Sequence, residues 1–256
     1  MSAHPPAEAR IPDARIPDAR IPDARTPDAR TSVDPDPRAQ DVRTVRRLRL
    51  GVGVLGFLLP IALPLGNSLT SARIALLDSM SASYYTHMRN VFVGGLCAVG
   101  VFLICYRHDR REDRLSSVAG VLAIGVALFP TEPPSALVPH PSGVQTAVGM
   151  LHLAFAAGLF GVLGYFCLRL FADSPAAGRR RPARDWVYLV CGWVIVAGVL
   201  TVAVAGVLHL ARDWPLTLPY LGEAVSVFAF GVAWLVKSEA VPALLPRAAR
   251  AAPAAP

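Results

Sequence analysis

Six apolar runs, separated by short polar segments, constrain the fold of this chain more than any other feature. A run of about 18 or more apolar residues can cross a bilayer as a helix, because about 20 residues at 1.5 Å rise span the hydrocarbon core. Hydrophobic residues make up 54% of the 256 residues and charged residues only 17%, which excludes an ordinary soluble domain. The sequence therefore predicts an all-α, polytopic transmembrane bundle of six helices.

The apolar runs also give approximate bounds for these helices. They are predicted at about 50–65, 91–106, 115–129, within 143–171, 186–208 and 218–236. Pro60 and Pro64 predict a kink or an early end in the first helix. Ala119, Ala123 and Ala127 repeat every fourth residue and predict a face for close helix packing. The four cysteines all lie inside apolar runs, where we expect them to act as small packing residues.

The longest connection between apolar runs spans residues 66–90. Apolar side chains recur in it at helical spacing, at Ile74, Leu77, Met80 and Tyr84. This pattern predicts a short amphipathic helix that lies at the membrane interface and leads into the second transmembrane helix.

Lys and Arg residues are concentrated in every second connection. From Arg43 onwards, the amino-terminal flank, the second and fourth connections and the carboxyl end hold 15 of them, and the three alternate connections hold 3. By the positive-inside rule, both termini are expected in the cytoplasm, and the chain in the inner (plasma) membrane. The same distribution argues against a nucleic-acid partner and favours contact with membrane lipids.

Two tails flank the predicted transmembrane domain of residues 43–240. Residues 1–42 contain three copies of IPDAR and one of TPDAR, from Ile11 to Arg30. Proline at every fifth position prevents a regular helix, and too little apolar surface is present to order the segment. We expect residues 1–42 to be a disordered tail and residues 241–256 to be a disordered cytoplasmic tail.

The candidate binding site begins with the polar stretch from Ser79 to Gly95. If this stretch is helical, Ser79, Ser83, His87, Asn90 and Gly94 share one face. Glu223 lies 14 residues before Lys237, about 21 Å along a helix, and a carboxyl at that membrane depth usually marks a functional site. Arg89 is its expected partner. The predicted ligand-binding residues are Ser83, His87, Arg89, Asn90, His152 and Glu223.

Three functions fit this pattern, and whether the protein is an enzyme stays open. The first is a membrane protein without a cofactor that binds a lipid or small ligand in an outward-facing polar cavity. The second is a zinc-dependent membrane lipid hydrolase with His87, His152 and Glu132 as metal ligands, since zinc binds histidine nitrogen and carboxylate oxygen. The third is a structural or scaffolding subunit, in which none of these residues matters.

Several segments carry a resemblance to a known family. The stretches SASYYTHMRNVFVGG (81–95), FLICYR (102–107), GVALFPT (125–131), HLAFAA (152–157), VYLVCGW (187–193) and FGVAWLVKSEA (230–240) resemble a family of uncharacterised bacterial multi-pass membrane proteins. The resemblance implies a six-helix membrane fold and no activity; members often have Asp where this chain has Asn90. Ser83, His87 and His152 also resemble part of the zinc site in the superfamily of alkaline ceramidases and progestin-type receptors.

Overall fold

The computed structural model describes residues 37–71, 77–172, 183–208 and 217–239, and in these ranges it contains helices and no strand. The six α-helices are α1 (Pro37–Ser71), α2 (Arg89–Cys105), α3 (Arg110–Leu128), α4 (Gly143–Tyr165), α5 (Ala183–Leu208) and α6 (Leu218–Lys237). A 3-10 helix covers Ser81–Tyr85, and a π-helical segment, Phe166–Phe171, extends α4. The all-α prediction is confirmed. Four helices, α1, extended α4, α5 and α6, are long and apolar enough to cross a membrane, which indicates a membrane protein.

Polar residues at the connections fix where three of the helices begin. Asp109 accepts hydrogen bonds from the backbone N–H groups of Glu112 and Arg111 at the start of α3, and these bonds hold the pKa of its carboxyl below the usual range. Ser142 forms a capping box with Gln145 at the start of α4. Thr217 accepts from the N–H of Tyr220 at the start of α6.

The helices form a closed ring in which each packs on the next and α6 packs on α1. Three pairs of facing glycines allow close approach, namely Gly56 with Gly231, Gly100 with Gly120, and Gly198 with Gly222. A Cβ atom on Gly222 would lie 2.6 Å from the carbonyl oxygen of Gly198. Ala119, Ala123 and Ala127 are fully buried, as expected for a packing face.

We call the end of the bundle where α1, α3 and α5 begin and α2, α4 and α6 end the basic end. Two Arg49 guanidinium nitrogens donate to the Tyr106 hydroxyl, and this hydroxyl donates to Glu112 Oε2 over 2.7 Å. Arg46 donates to the carbonyls of the two residues that follow α6, Ser238 and Glu239. An aromatic cluster lies beside this network, formed by Tyr106, Phe166, Phe171, Tyr188, Phe230 and Trp234.

The first helix is longer than its sequence predicts. It does not end at Pro60 or Pro64 but continues to Ser71. Pro64 has no N–H to donate to the carbonyl of Pro60, four residues earlier, and the Tyr220 hydroxyl on α6 donates to that oxygen instead, over 2.7 Å. A neighbouring helix thus satisfies the backbone group that proline leaves free, as is usual for prolines inside membrane helices.

The long connection before α2 differs from its prediction. Its described part forms only the 3-10 helix Ser81–Tyr85, followed by Thr86 in extended conformation, and α2 begins at Arg89. Leu77 and Met80 are buried in the protein. The predicted amphipathic interfacial helix is therefore wrong in the residues that the structure describes, and Ile74 lies outside them.

The predicted domain boundaries fall partly outside the described residues. Residues 1–36 and 240–256, which include the pentapeptide repeats and the carboxyl-terminal tail, are not described. Residues 37–42, assigned to the tail from the sequence, are the first turns of α1. All four cysteines are free; Cys167 and Cys191 are buried, whereas Cys105 is exposed and does not pack as expected.

Candidate functional site

A short segment, residues 77–88, closes the bundle at the end opposite the basic end. We call this segment the plug and that end the plug end. Two hydrogen bonds hold it to the connections of the bundle: Thr217 Oγ1 donates to the carbonyl of Asp78 over 2.5 Å, and Tyr85 Oη donates to the carbonyl of Thr131 over 2.6 Å. Because its anchors precede α6 and follow α3, the plug joins both sides of the ring.

Glu223 anchors the plug to α6 through two hydrogen bonds. Its Oε2 atom accepts hydrogen bonds from the backbone N–H of Met80 at 2.6 Å and from that of Ser81 at 3.3 Å. These donors belong to the turn that leads into the 3-10 helix, so a carboxylate on α6 caps a separate segment of the chain. When the carboxyl is ionised, such hydrogen bonds are typically about twice as strong as neutral ones.

His152 joins α4 to the plug and is only 4% exposed. Its Nδ1 lies 2.7 Å from the carbonyl oxygen of Phe129, and its Nε2 lies 3.1 Å from Ser81 Oγ. Because a carbonyl oxygen can only accept, Nδ1 carries the proton and Nε2 accepts from the serine hydroxyl. Both ring nitrogens are therefore used in hydrogen bonds within the protein.

Below the plug, the ring encloses a cavity of ≈ 70 Å³. Its wall is almost entirely apolar and comes from α1, α2, α3, α4 and α6, with residues such as Leu59, Phe92 and Leu163. Ser81 and Glu223 also line it, and Glu223 is the single ionisable residue of the sixteen. The site is thus an apolar chamber with one carboxyl and one hydroxyl group, both next to the plug.

No protein-family model, no curated protein and no solved structure matches the chain significantly. The two family resemblances noted in the sequence therefore stay predictions.

The structure brings only some of the predicted ligand-binding residues together. Glu223 and His152 both contact Ser81, which unites them at the plug. His87, Arg89 and Asn90 are exposed and do not line the cavity. The single helical face predicted from Ser79 to Gly94 does not exist, because the backbone is extended at Thr86.

Arg89 does not pair with Glu223, contrary to expectation. Its guanidinium lies over the Tyr84 ring, 4.1 Å from the centroid, and donates to the Tyr84 hydroxyl over 2.6 Å. This cation–π contact holds the arginine on the outside of the plug. Glu223 instead uses backbone donors, which do not depend on any side chain of the plug.

Ser83 is fully buried, and its hydroxyl has no hydrogen-bond partner among the described residues. Its carbonyl oxygen accepts from the N–H and the hydroxyl of Thr86, which fixes the end of the 3-10 helix. The side chain does not line the cavity. Ser83 thus shapes the plug through its backbone.

The predicted zinc ligands do not form a metal site in the described part of the chain, where no three His, Cys, Asp or Glu side chains are grouped to hold an ion. His87 is exposed, and His152 is buried with both nitrogens bonded. Glu132 is exposed and accepts from the Thr146 hydroxyl over 2.9 Å. These three residues are not brought together.

Sequence reasoning missed Ser81, the residue that links His152 to Glu223 and lines the cavity. Ser81 lies in the polar stretch from Ser79 to Gly95, but it is not on the helical face predicted for that stretch. Its role rests on a backbone N–H as well as on its hydroxyl, and a backbone donor has no signature in the sequence.

Proposed function

We propose that this protein spans the plasma membrane six times, with both termini in the cytoplasm, and binds a small amphipathic molecule inside the bundle. The observation that carries the proposal is the lone carboxylate of Glu223 in an otherwise apolar cavity. An ionisable group within a membrane bundle is costly, and in such proteins it usually serves ligands or ions.

The ring supports six crossings, although among the described residues only four helices are clearly long and apolar enough. α2 and α3 connect α1 to α4 and pack between them, running antiparallel to each other. The apolar part of α3 begins at Leu115, after the arginines of its first turn. If α1 and α4 cross the bilayer, α2 and α3 lie at the same depth, because α1, α2, α3 and α4 are consecutive members of one ring.

The distribution of charge sets the proposed orientation. The basic end carries the arginines at the starts of α1 and α3, and connections at this end face the cytoplasm under the positive-inside rule. A reporter enzyme that is active only in the periplasm is expected to work when fused after Pro134 and to fail when fused after Arg111. Activity after Arg111, or at the carboxyl terminus of the full chain, would contradict the orientation.

The composition of the cavity defines the chemistry of the ligand. A volume of ≈ 70 Å³ is well above the roughly 10–15 Å³ that one water needs, and about half of the roughly 150 Å³ cavity known to bind benzene. A short aliphatic body of a few carbon atoms fits this space. Glu223 accepts hydrogen bonds and, in its ionised form, carries negative charge, so the head of the ligand is expected to be a cation or a hydrogen-bond donor.

One side chain of α4 borders both this cavity and the outer surface of the bundle. Phe160 lines the cavity and also a groove of ≈ 390 Å³ on the outer surface between α4 and α5. Rotation of this one ring would join the two spaces, which provides a route for an apolar molecule from the bilayer. The proposed ligand therefore enters sideways, below the plug.

Binding of ethylamine tests the proposal on the purified full-length protein. We expect the amine to raise the melting temperature of the wild type, and a ligand at one hundred times its dissociation constant to add about 2.7 kcal/mol to the free energy of unfolding. Glu223→Gln keeps an acceptor oxygen for the plug but removes the charge, so it is expected to lose the response to ethylamine. Its response to the neutral ethanol is expected to persist.

A second variant tests the place of binding. Ala156→Leu puts a larger side chain on a residue that lines the cavity and is expected to abolish both responses. Ala154→Leu is the matched control, because Ala154 lies on the same helix, is exposed, and does not line the cavity. Equal responses of wild type, Ala156→Leu and Glu223→Gln to ethylamine would contradict the proposal.

A further inference from the structure

A second site lies at the basic end and is independent of the central cavity. Arg110, Arg111 and Arg114 surround a depression of ≈ 690 Å³ between α3 and α4. Its remaining wall is Leu115, Gly161, Val162 and Tyr165. Three positive side chains thus lie next to an apolar surface that faces the bilayer. They are close to Leu115, where the apolar part of α3 begins.

The acidic residues beside these arginines are occupied elsewhere. Asp109 caps the start of α3, Glu112 is buried against the Tyr106 hydroxyl, and Asp113 accepts from the N–H of His108 over 2.7 Å. Arg111 is held by Tyr165, whose hydroxyl accepts a hydrogen bond from it. Arg110 and Arg114 form no ion pair or side-chain hydrogen bond with a described residue, so their guanidinium groups are available to a ligand.

The apolar wall continues along α4 into the groove between α4 and α5. Gly161 and Tyr165 line both spaces, and the groove also contains Leu168 and Val199. A Cβ atom on Gly161 would meet no atom within 4 Å, so this glycine leaves open room beside the helix. An elongated apolar chain can therefore lie against α4 directly below the arginines.

We propose that this depression, which we call the arginine pocket, binds one anionic phospholipid. Its phosphate lies between Arg110 and Arg114, and one acyl chain runs past Gly161. Arginine is suited to phosphate because its planar group donates several hydrogen bonds in a fixed geometry. Basic pockets between membrane helices on the cytoplasmic side bind anionic lipid head groups, and each basic residue near the surface adds to the attraction. The proposal uses the same membrane orientation as the proposed function but not the cavity.

Native mass spectrometry of the full-length protein with phosphatidylglycerol tests the site. We expect one molecule of this lipid to bind the wild type more tightly than phosphatidylcholine does. Arg110→Gln/Arg114→Gln is expected to lower the affinity for the first phosphatidylglycerol molecule by about tenfold or more. Arg43→Gln/Arg47→Gln is the matched control and is expected to bind like wild type, because this pair is also exposed and four residues apart on a helix at the basic end.

Two further measurements separate a lipid from its head group. Gly161→Leu fills the open space beside α4 and is expected to weaken the binding of phosphatidylglycerol. Gly94→Leu, at another glycine with open space around it, is expected to leave this binding unchanged. Glycerol 3-phosphate at the same concentration is expected not to displace the lipid. Equal weakening by both arginine pairs would show general charge attraction and overturn the proposal. Displacement by glycerol 3-phosphate would overturn it too, because the acyl chain would then contribute nothing.

Discussion

The free energy of unfolding of Gly231→Ala is expected to fall by about 3 kcal/mol, the upper part of the range for overpacked cores. A Cβ atom at this position would contact the backbone nitrogen of Phe57 and lie 2.7 Å from the carbonyl carbon of Gly56. These are backbone atoms of α1, so no side-chain rotation relieves the clash. α1 and α6 would have to move apart, and that movement would open the ring where its last helix meets its first.

The controls for Gly231→Ala are glycines at which the added methyl group meets open space. Gly94 and Gly161 are such positions, on α2 and α4. There the substitution improves helix propensity by about 1 kcal/mol and meets no neighbour, so stability is expected to be unchanged or higher. Denaturant unfolding in mixed micelles, followed by tryptophan fluorescence, measures all three variants. A similar loss at Gly94 and Gly231 would contradict the role assigned to close packing.

The large features of this fold could be predicted from the sequence because they depend on composition over many residues. Six helices follow from six apolar runs, since each run must satisfy its backbone groups within a helix. Glu223 was selected because one carboxyl in an apolar run is conspicuous, and it does line the cavity. The burial of Ala119, Ala123 and Ala127 follows from their spacing on one face of a helix.

The plug could not be predicted, for two physical reasons. Spacings of three and four between polar residues are necessary for a shared helical face but not sufficient, and the extended backbone at Thr86 breaks the pattern after Tyr85. The partner of Glu223 was also misassigned, because a search among charged side chains cannot find backbone N–H donors. Arg89 had a local alternative in the ring of Tyr84, five residues away, which required no contact with another helix.

The second large effect is expected at Glu112, on the opposite end of the bundle. Glu112→Ala is expected to lower the free energy of unfolding by about 3 kcal/mol, because removing one partner of a buried charged network leaves the others unsatisfied. The Tyr106 hydroxyl would lose its acceptor, and Arg49, which donates to that hydroxyl, would lose the nearby negative charge. Glu112→Gln keeps an acceptor for Tyr106 and is expected to cost less. Asp113→Ala is the matched control at the next residue, since Asp113 binds only an exposed backbone N–H.

A double-mutant cycle and a pH series test the network as a unit. The double variant Arg49→Leu/Glu112→Leu removes both charges together. Its loss in the free energy of unfolding is expected to be smaller than the sum of the losses of Arg49→Leu and Glu112→Leu alone. Burial, followed by the hydrogen bond with Glu112, raises the pKa of the Tyr106 phenol. The unfolded phenol ionises near its ordinary pKa of about 10 while the folded one stays protonated, so its contribution is complete below that pH and decreases above it. Above pH 10, the free energy of unfolding is expected to decrease more for the wild type than for Tyr106→Phe. Parallel curves for the two proteins, together with strictly additive losses in the cycle, would mean that Arg49, Tyr106 and Glu112 do not act together in joining α1, α2 and α3.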